Sequence, residues 1–86
     1  MNKDRRKALT ALAEQFRALS GQLEDLKSEL ETLRDEEQEY YDNMPESFQN
    51  GDKGEAAQAA VSAMEEALDA IPDLNEVADQ IDTAAE

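Results

Sequence analysis

Neither cysteine nor histidine occurs among the 86 residues. Without cysteine there is no disulfide framework and no thiolate metal site. Without histidine the usual general base and the commonest transition-metal ligand are missing. Carboxylates, hydroxyls and two tyrosines are what remain for any chemistry. Bases are scarce too: eight lysines and arginines stand against 22 acids, for a net charge of −14. No apolar run approaches the length of a membrane span. The charged start Met1–Lys7, followed by Glu14, Gln15 and Arg17, does not read as a signal peptide. Proline occurs only twice and glycine three times, so long helices meet few interruptions.

What is present is a ladder of large apolar residues: Leu9, Leu12, Phe16, Leu19, Leu23, Leu26, Leu30 and Leu33. The spacing alternates between three and four, so with Leu9 at position a every a and d of four heptads is filled. A stripe with that period stays on one side of a helix only by supercoiling around a partner, from this chain or from another copy. The rest of the apolar content is less bulky, since fourteen of the hydrophobic residues are alanine. A chain of this size buries a thin core by itself, and self-association as a dimer or tetramer is expected.

The first helix should start near Asn2 or Lys3 and run to about Tyr41, approaching roughly 60 Å at about 1.5 Å per residue. Gly21 lies at position f, away from the seam, and should not break it. Three possible capping boxes follow: Asn43-Met44-Pro45-Glu46, Asp52-Lys53-Gly54-Glu55 and Asp73-Leu74-Asn75-Glu76. The first predicts a short turn of helix from Met44 to Gln49, closed at Asn50-Gly51 by a left-handed glycine. The second opens an alanine-rich helix with Ala57, Val61, Met64, Leu68 and Ile71 on one side. The third opens a last helix after Pro72, with Leu74, Val77, Ala78 and Ile81 aligned. The fold class is therefore all-α: a single helical domain over residues 1–86, with a zipper helix (1–41), a capped turn region (42–54), an Ala-rich helix (55–71) and a terminal helix (73–85). The two shorter helices are expected to fold back as an antiparallel helical hairpin on the long one, in an oligomer. That arrangement would bring Asp79, Asp82 and Glu86 beside Lys3, Arg5, Arg6 and Lys7, whose charges oppose the dipole of the first helix.

Charge is unevenly placed. Residues 1–23 carry +3, residues 24–46 carry −8 and residues 47–86 carry −9. An acidic surface of this kind repels nucleic acid phosphates and most membranes and attracts basic protein surfaces. The acids between Asp42 and Glu55 do not fit an EF-hand, because the required glycine and closing glutamate fall on the wrong residues. Gly51 and Gly54 are turn glycines without a phosphate-loop pattern. No cofactor, metal site or catalytic set is indicated. Tyr40, Tyr41, Met44 and Phe48 read either as a plug over the bend of the hairpin or as an exposed recognition patch.

The segment Asp35–Phe48, DEEQEYYDNMPESF, followed by a glycine turn and an alanine/glutamate helix, resembles a stretch of small acidic helical proteins encoded by phages and prophages. The likeness covers residues 30–71. It implies a helical hairpin and a viral setting, hence the cytoplasm of an infected or lysogenic bacterial host, and brings no activity with it. Two functional expectations follow. One is a non-enzymatic inhibitor that mimics DNA and occupies a basic groove of a host protein through Glu31, Asp35, Glu36, Glu39, Asp42 and Glu46. The other is an assembly protein whose coiled coil mediates self-association or docking. Neither involves a membrane or direct contact with nucleic acid.

Overall fold

The computed structural model describes residues 2–86, and among them the regular elements are all helical. Helix α1 spans Lys3–Asp42. The Asn2 side-chain oxygen accepts from the Arg5 N–H at 2.8 Å, which satisfies one of the donors that the first turn leaves open. Gly21 is accommodated inside the helix, as its f position predicts. Three shorter helices follow: α2 (Glu46–Gln49), α3 (Asp52–Ala70) and α4 (Leu74–Ala85). Pro72 ends α3, because its ring disfavours helical geometry at Ile71, which sits at φ −70° and ψ 121°.

Of the three expected capping boxes, only the last caps a helix through its side chain. The Asp73 carboxylate accepts from the N–H groups of Asn75 and Glu76 at 3.0 and 3.2 Å. Asn43 is instead drawn into the end of α1, donating its N–H to the Glu39 carbonyl at 3.0 Å, and Pro45 takes the cap position of α2. Asp52 is already the first residue of α3, with Gly51 before it as an uncharged cap. Gly51 is extended, at φ −101°, because it serves the start of α3 rather than the end of α2. No residue among those described has a positive φ, so the left-handed closure does not form.

The chain forms two compact units. The first comprises residues up to Asp25 together with Pro72–Glu86, and the second is Leu26–Ile71. In the first unit α4 lies beside α1. Arg17 donates to Asp79 at 2.9 Å and to Asp82 at 2.7 Å. The acidic end of the chain thus meets Arg17 and not the cluster Lys3, Arg5, Arg6 and Lys7, which makes no ion pair with the described residues. The hydrogen bonds to Asp82 and then Asp79 raise the Arg17 pKa above its ordinary value. A raised basic pKa contributes stability at every pH below it, so this clamp responds to salt and not to pH across the neutral range. Around it, Ala13 and Ala78 are completely buried and Ser20 nearly so. Small side chains at these points let helices approach closely, and Leu9, Phe16, Leu23, Leu74, Val77 and Ile81 are half-buried about them.

In the second unit the core comes from α3, where Ala57, Val61 and Leu68 are buried and Met64 half-buried, and from Ile71 just after it, also half-buried, which together are the stripe that the spacing predicts. Helix α2 packs on α3, and the closest approach is at Gly54. A Cβ there would overlap the Gln49 carbonyl group and stand 2.6 Å from the Gln49 Cα. The Gln49 side-chain amide donates to the Tyr41 carbonyl at 3.0 Å, fastening α2 to the last turn of α1.

Candidate functional site

Apart from Glu31, the residues of α1 that lose solvent contact recur as Leu9, Ala13, Phe16, Ser20, Leu23, Lys27, Leu30, Arg34, Glu37 and Tyr41. In the heptad frame these are positions a and e, whereas the sequence predicts a and d. The expected seam is therefore split. Leu9, Phe16, Leu23 and Leu30 face the rest of the chain, while the d residues are turned outward: Leu12 is 46 % exposed and Leu19 51 % in the first unit, Leu26 60 % and Leu33 56 % in the second. The reason lies at position e. Ala13 and Ser20 are small enough to sit at a helix contact, and Lys27 and Arg34 can lay their aliphatic stems over it while their charged heads reach water. Arg34 turns its head to the adjacent Asp35 at 3.0 Å.

The row continues at Tyr40, which is 52 % exposed, and there it meets a concavity of about 350 Å³ lined by Tyr40, Asn43, Met44, Pro45, Phe48 and Lys53. Phe48 is 53 % exposed, and Lys53 Nζ stands 6.0 Å from the centre of its ring. The four residues Tyr40, Tyr41, Met44 and Phe48 divide accordingly. Tyr41 and Met44 are half-buried in the bend, and Tyr40 and Phe48 face solvent. Lys53 escapes a reading based on heptads and capping. Its one signal in the sequence is that it is the only cation after residue 46.

The acids expected to contact a partner lie elsewhere on α1. At about 100° per residue, Glu31, Asp35, Glu39 and Asp42 fall within roughly 80° of arc, Glu36 lies apart from them, and the leucine row is on another side. Glu46 opens α2. Asp35, Glu36, Glu39, Asp42 and Glu46 are exposed and Glu31 is half-buried. Asp42 accepts from the Gln38 amide at 2.9 Å and Asp35 from Arg34. Glu31, Glu36, Glu39 and Glu46 have no side-chain partner among the described residues.

Chemically the surface offers apolar contact, charge and one aromatic concavity. No group of three or more acids is arranged among the described residues to hold a metal ion. No described helix is long and apolar enough to cross a membrane. No protein-family model, curated protein or solved structure matches the chain.

Proposed function

We propose that this chain is a non-enzymatic interaction protein that folds α3 and α4 back on α1 as an antiparallel helical hairpin and associates with a second copy through the leucine row. The observation that carries the reading is the outward turn of Leu12, Leu19, Leu26 and Leu33 on a helix whose other ladder residues are already used. Isolated exposed leucines need no explanation, but a row at constant period along one helix is a docking ridge. Burying the exposed half of each row residue, Tyr40 included, contributes roughly 1 kcal/mol per side chain, or about 10 kcal/mol for two copies. Association itself costs about 4–15 kcal/mol, so the pairing is reversible and depends on concentration. Replacing Leu19 and Leu26 together with glutamine should leave far-UV circular dichroism unchanged and weaken dimerisation on the order of 100-fold, measured by light scattering across a dilution series. A wild-type protein that stays monomeric at the highest concentration rejects the reading.

The separate acidic face favours a second reading. Four carboxylates without side-chain partners and two with only local ones form a surface of one sign, suited to a basic groove that releases counterions on binding. In the phage setting that the resemblance implies, the groove would belong to a host protein that handles DNA. Reversing Glu36, Glu39 and Asp42 to lysine should abolish capture of such a protein and remove the salt dependence of capture. Unchanged binding would assign these acids to solubility.

A further inference from the structure

We infer that the second copy pairs antiparallel to the first, α1 against α1, with Leu26 of each copy at the twofold axis. The inference rests on the self-association reading and adds the orientation. The exposed row consists of Leu12, Leu19, Leu26, Leu33 and Tyr40, and Leu26 is its middle member. Antiparallel pairing about that point sets Leu19 against Leu33 of the second copy and Leu12 against Tyr40, so every large side chain has a counterpart. The concavity beside Tyr40, Met44 and Phe48 then receives the first apolar turn of the other α1, around Ala8 and Leu12.

Charge selects this orientation. The g positions beside the row, Gln15, Gln22, Glu29 and Glu36, are all exposed. In an antiparallel pair g faces g, so Gln22 comes opposite Glu29 of the second copy and Gln15 opposite Glu36. Each glutamate then meets an amide that can donate to it. A parallel pair would instead lay residues 24–46, with a charge of −8, along the same residues of the other copy. It would also bring Glu36 against Glu37 of the second copy. Antiparallel pairing instead sets that stretch along the first unit, where the +3 of segment 1–23 offsets most of the acids of α4, so like charge is less concentrated than in a parallel pair. The cations Lys3, Arg5, Arg6 and Lys7, which have no ion pair among the described residues, then lie at the acidic end of the partner helix.

The chain has no cysteine, so single thiols can be introduced without background. Leu19→Cys and Leu33→Cys are made in the full chain and oxidised separately and as a mixture, with Leu26→Cys as the twofold reference. The expected result is disulfide dimers from Leu26→Cys, dimers from the mixture, and few from Leu19→Cys or Leu33→Cys alone. Ready cross-linking of Leu19→Cys to itself would overturn the inference in favour of a parallel pair. A dimer by light scattering in which Leu26→Cys does not cross-link would place the second copy on another surface, and would also overturn it. A monomer at all concentrations would reject self-association as well, so the two failures are distinguishable. Spin labels at Leu12→Cys give an independent readout. The antiparallel register separates the two labelled sites by about 42 Å along the axis, whereas a parallel pair holds them at about 10 Å.

Discussion

Gly54→Ala should lower the melting temperature of the second unit by roughly 10–20 °C, an effect equivalent to about 3 kcal/mol in a domain of this size. One methyl group is enough because the atoms it meets belong to the Gln49 backbone, which cannot rotate away as a side chain would. Relief requires α2 to lift from α3, and that movement also strains the Gln49 bond to the Tyr41 carbonyl. Gly21→Ala is the matched control. A Cβ there meets nothing within 4 Å, and the residue lies well inside α1. It should stabilise by about 0.5–1 kcal/mol, the ordinary helix preference for alanine over glycine. Thermal melts of the two variants should therefore move in opposite directions. A Gly54→Ala protein that melts with the wild type would show that α2 does not sit on α3 as described.

Ala78→Leu should unseat α4. Ala78 has no solvent exposure, and Ala13 in the same unit has none either, so a larger side chain must force helices apart at a cost of about 1–3 kcal/mol. Once displaced, α4 cannot persist, because a helix of 12 residues is marginal in water without a packed face. Far-UV circular dichroism should lose the helical signal of those residues, and amide exchange should accelerate from Leu74 to Ala85. Ala84→Leu, on the exposed side of the same helix, should change neither reading. Should α4 remain protected in Ala78→Leu, the close packing of the first unit is wrong.

Much of the secondary structure is legible in the sequence because its signals are local. The four-three spacing of Ala57 to Ile71 and the alignment of Leu74, Val77, Ala78 and Ile81 depend on the helical period alone, and each of those residues is buried or half-buried. Asp73 caps α4 for the same local reason. The buried face of α1 is different. The ladder marks a and d equally, and the choice of a with e depends on which helix arrives from elsewhere in the chain and on how closely Ala13 and Ser20 let it approach. Local spacing carries no such information. Asn43 and Asp52 have the chemistry of caps, but Asn43 is drawn into the end of α1 and Asp52 into the first turn of α3 itself, which leaves the cap position to Gly51. Gly54 looks like a turn residue beside Asp52 and Lys53, and only the path of α2 makes it a point of backbone contact. The acids 31 to 46 are legible as a charged surface, and whether a partner uses them is a property of that partner.

The distribution of chromophores follows from the same division of the chain. The protein has no tryptophan and two tyrosines, Tyr40 and Tyr41, and both lie in the second unit. Ultraviolet absorbance near 280 nm and tyrosine emission therefore report on Leu26–Ile71 alone, whereas helical ellipticity sums over both units. Superposition of the optical and ellipticity melts would mean that the units unfold together, and divergence would separate the stability of the α1–α4 contact from that of the α2–α3 contact without any added label. The two rings also differ from one another. Tyr40 is open to collisional quenchers and Tyr41 is partly shielded, so even one emission spectrum is a composite of an exposed and a half-buried reporter placed side by side.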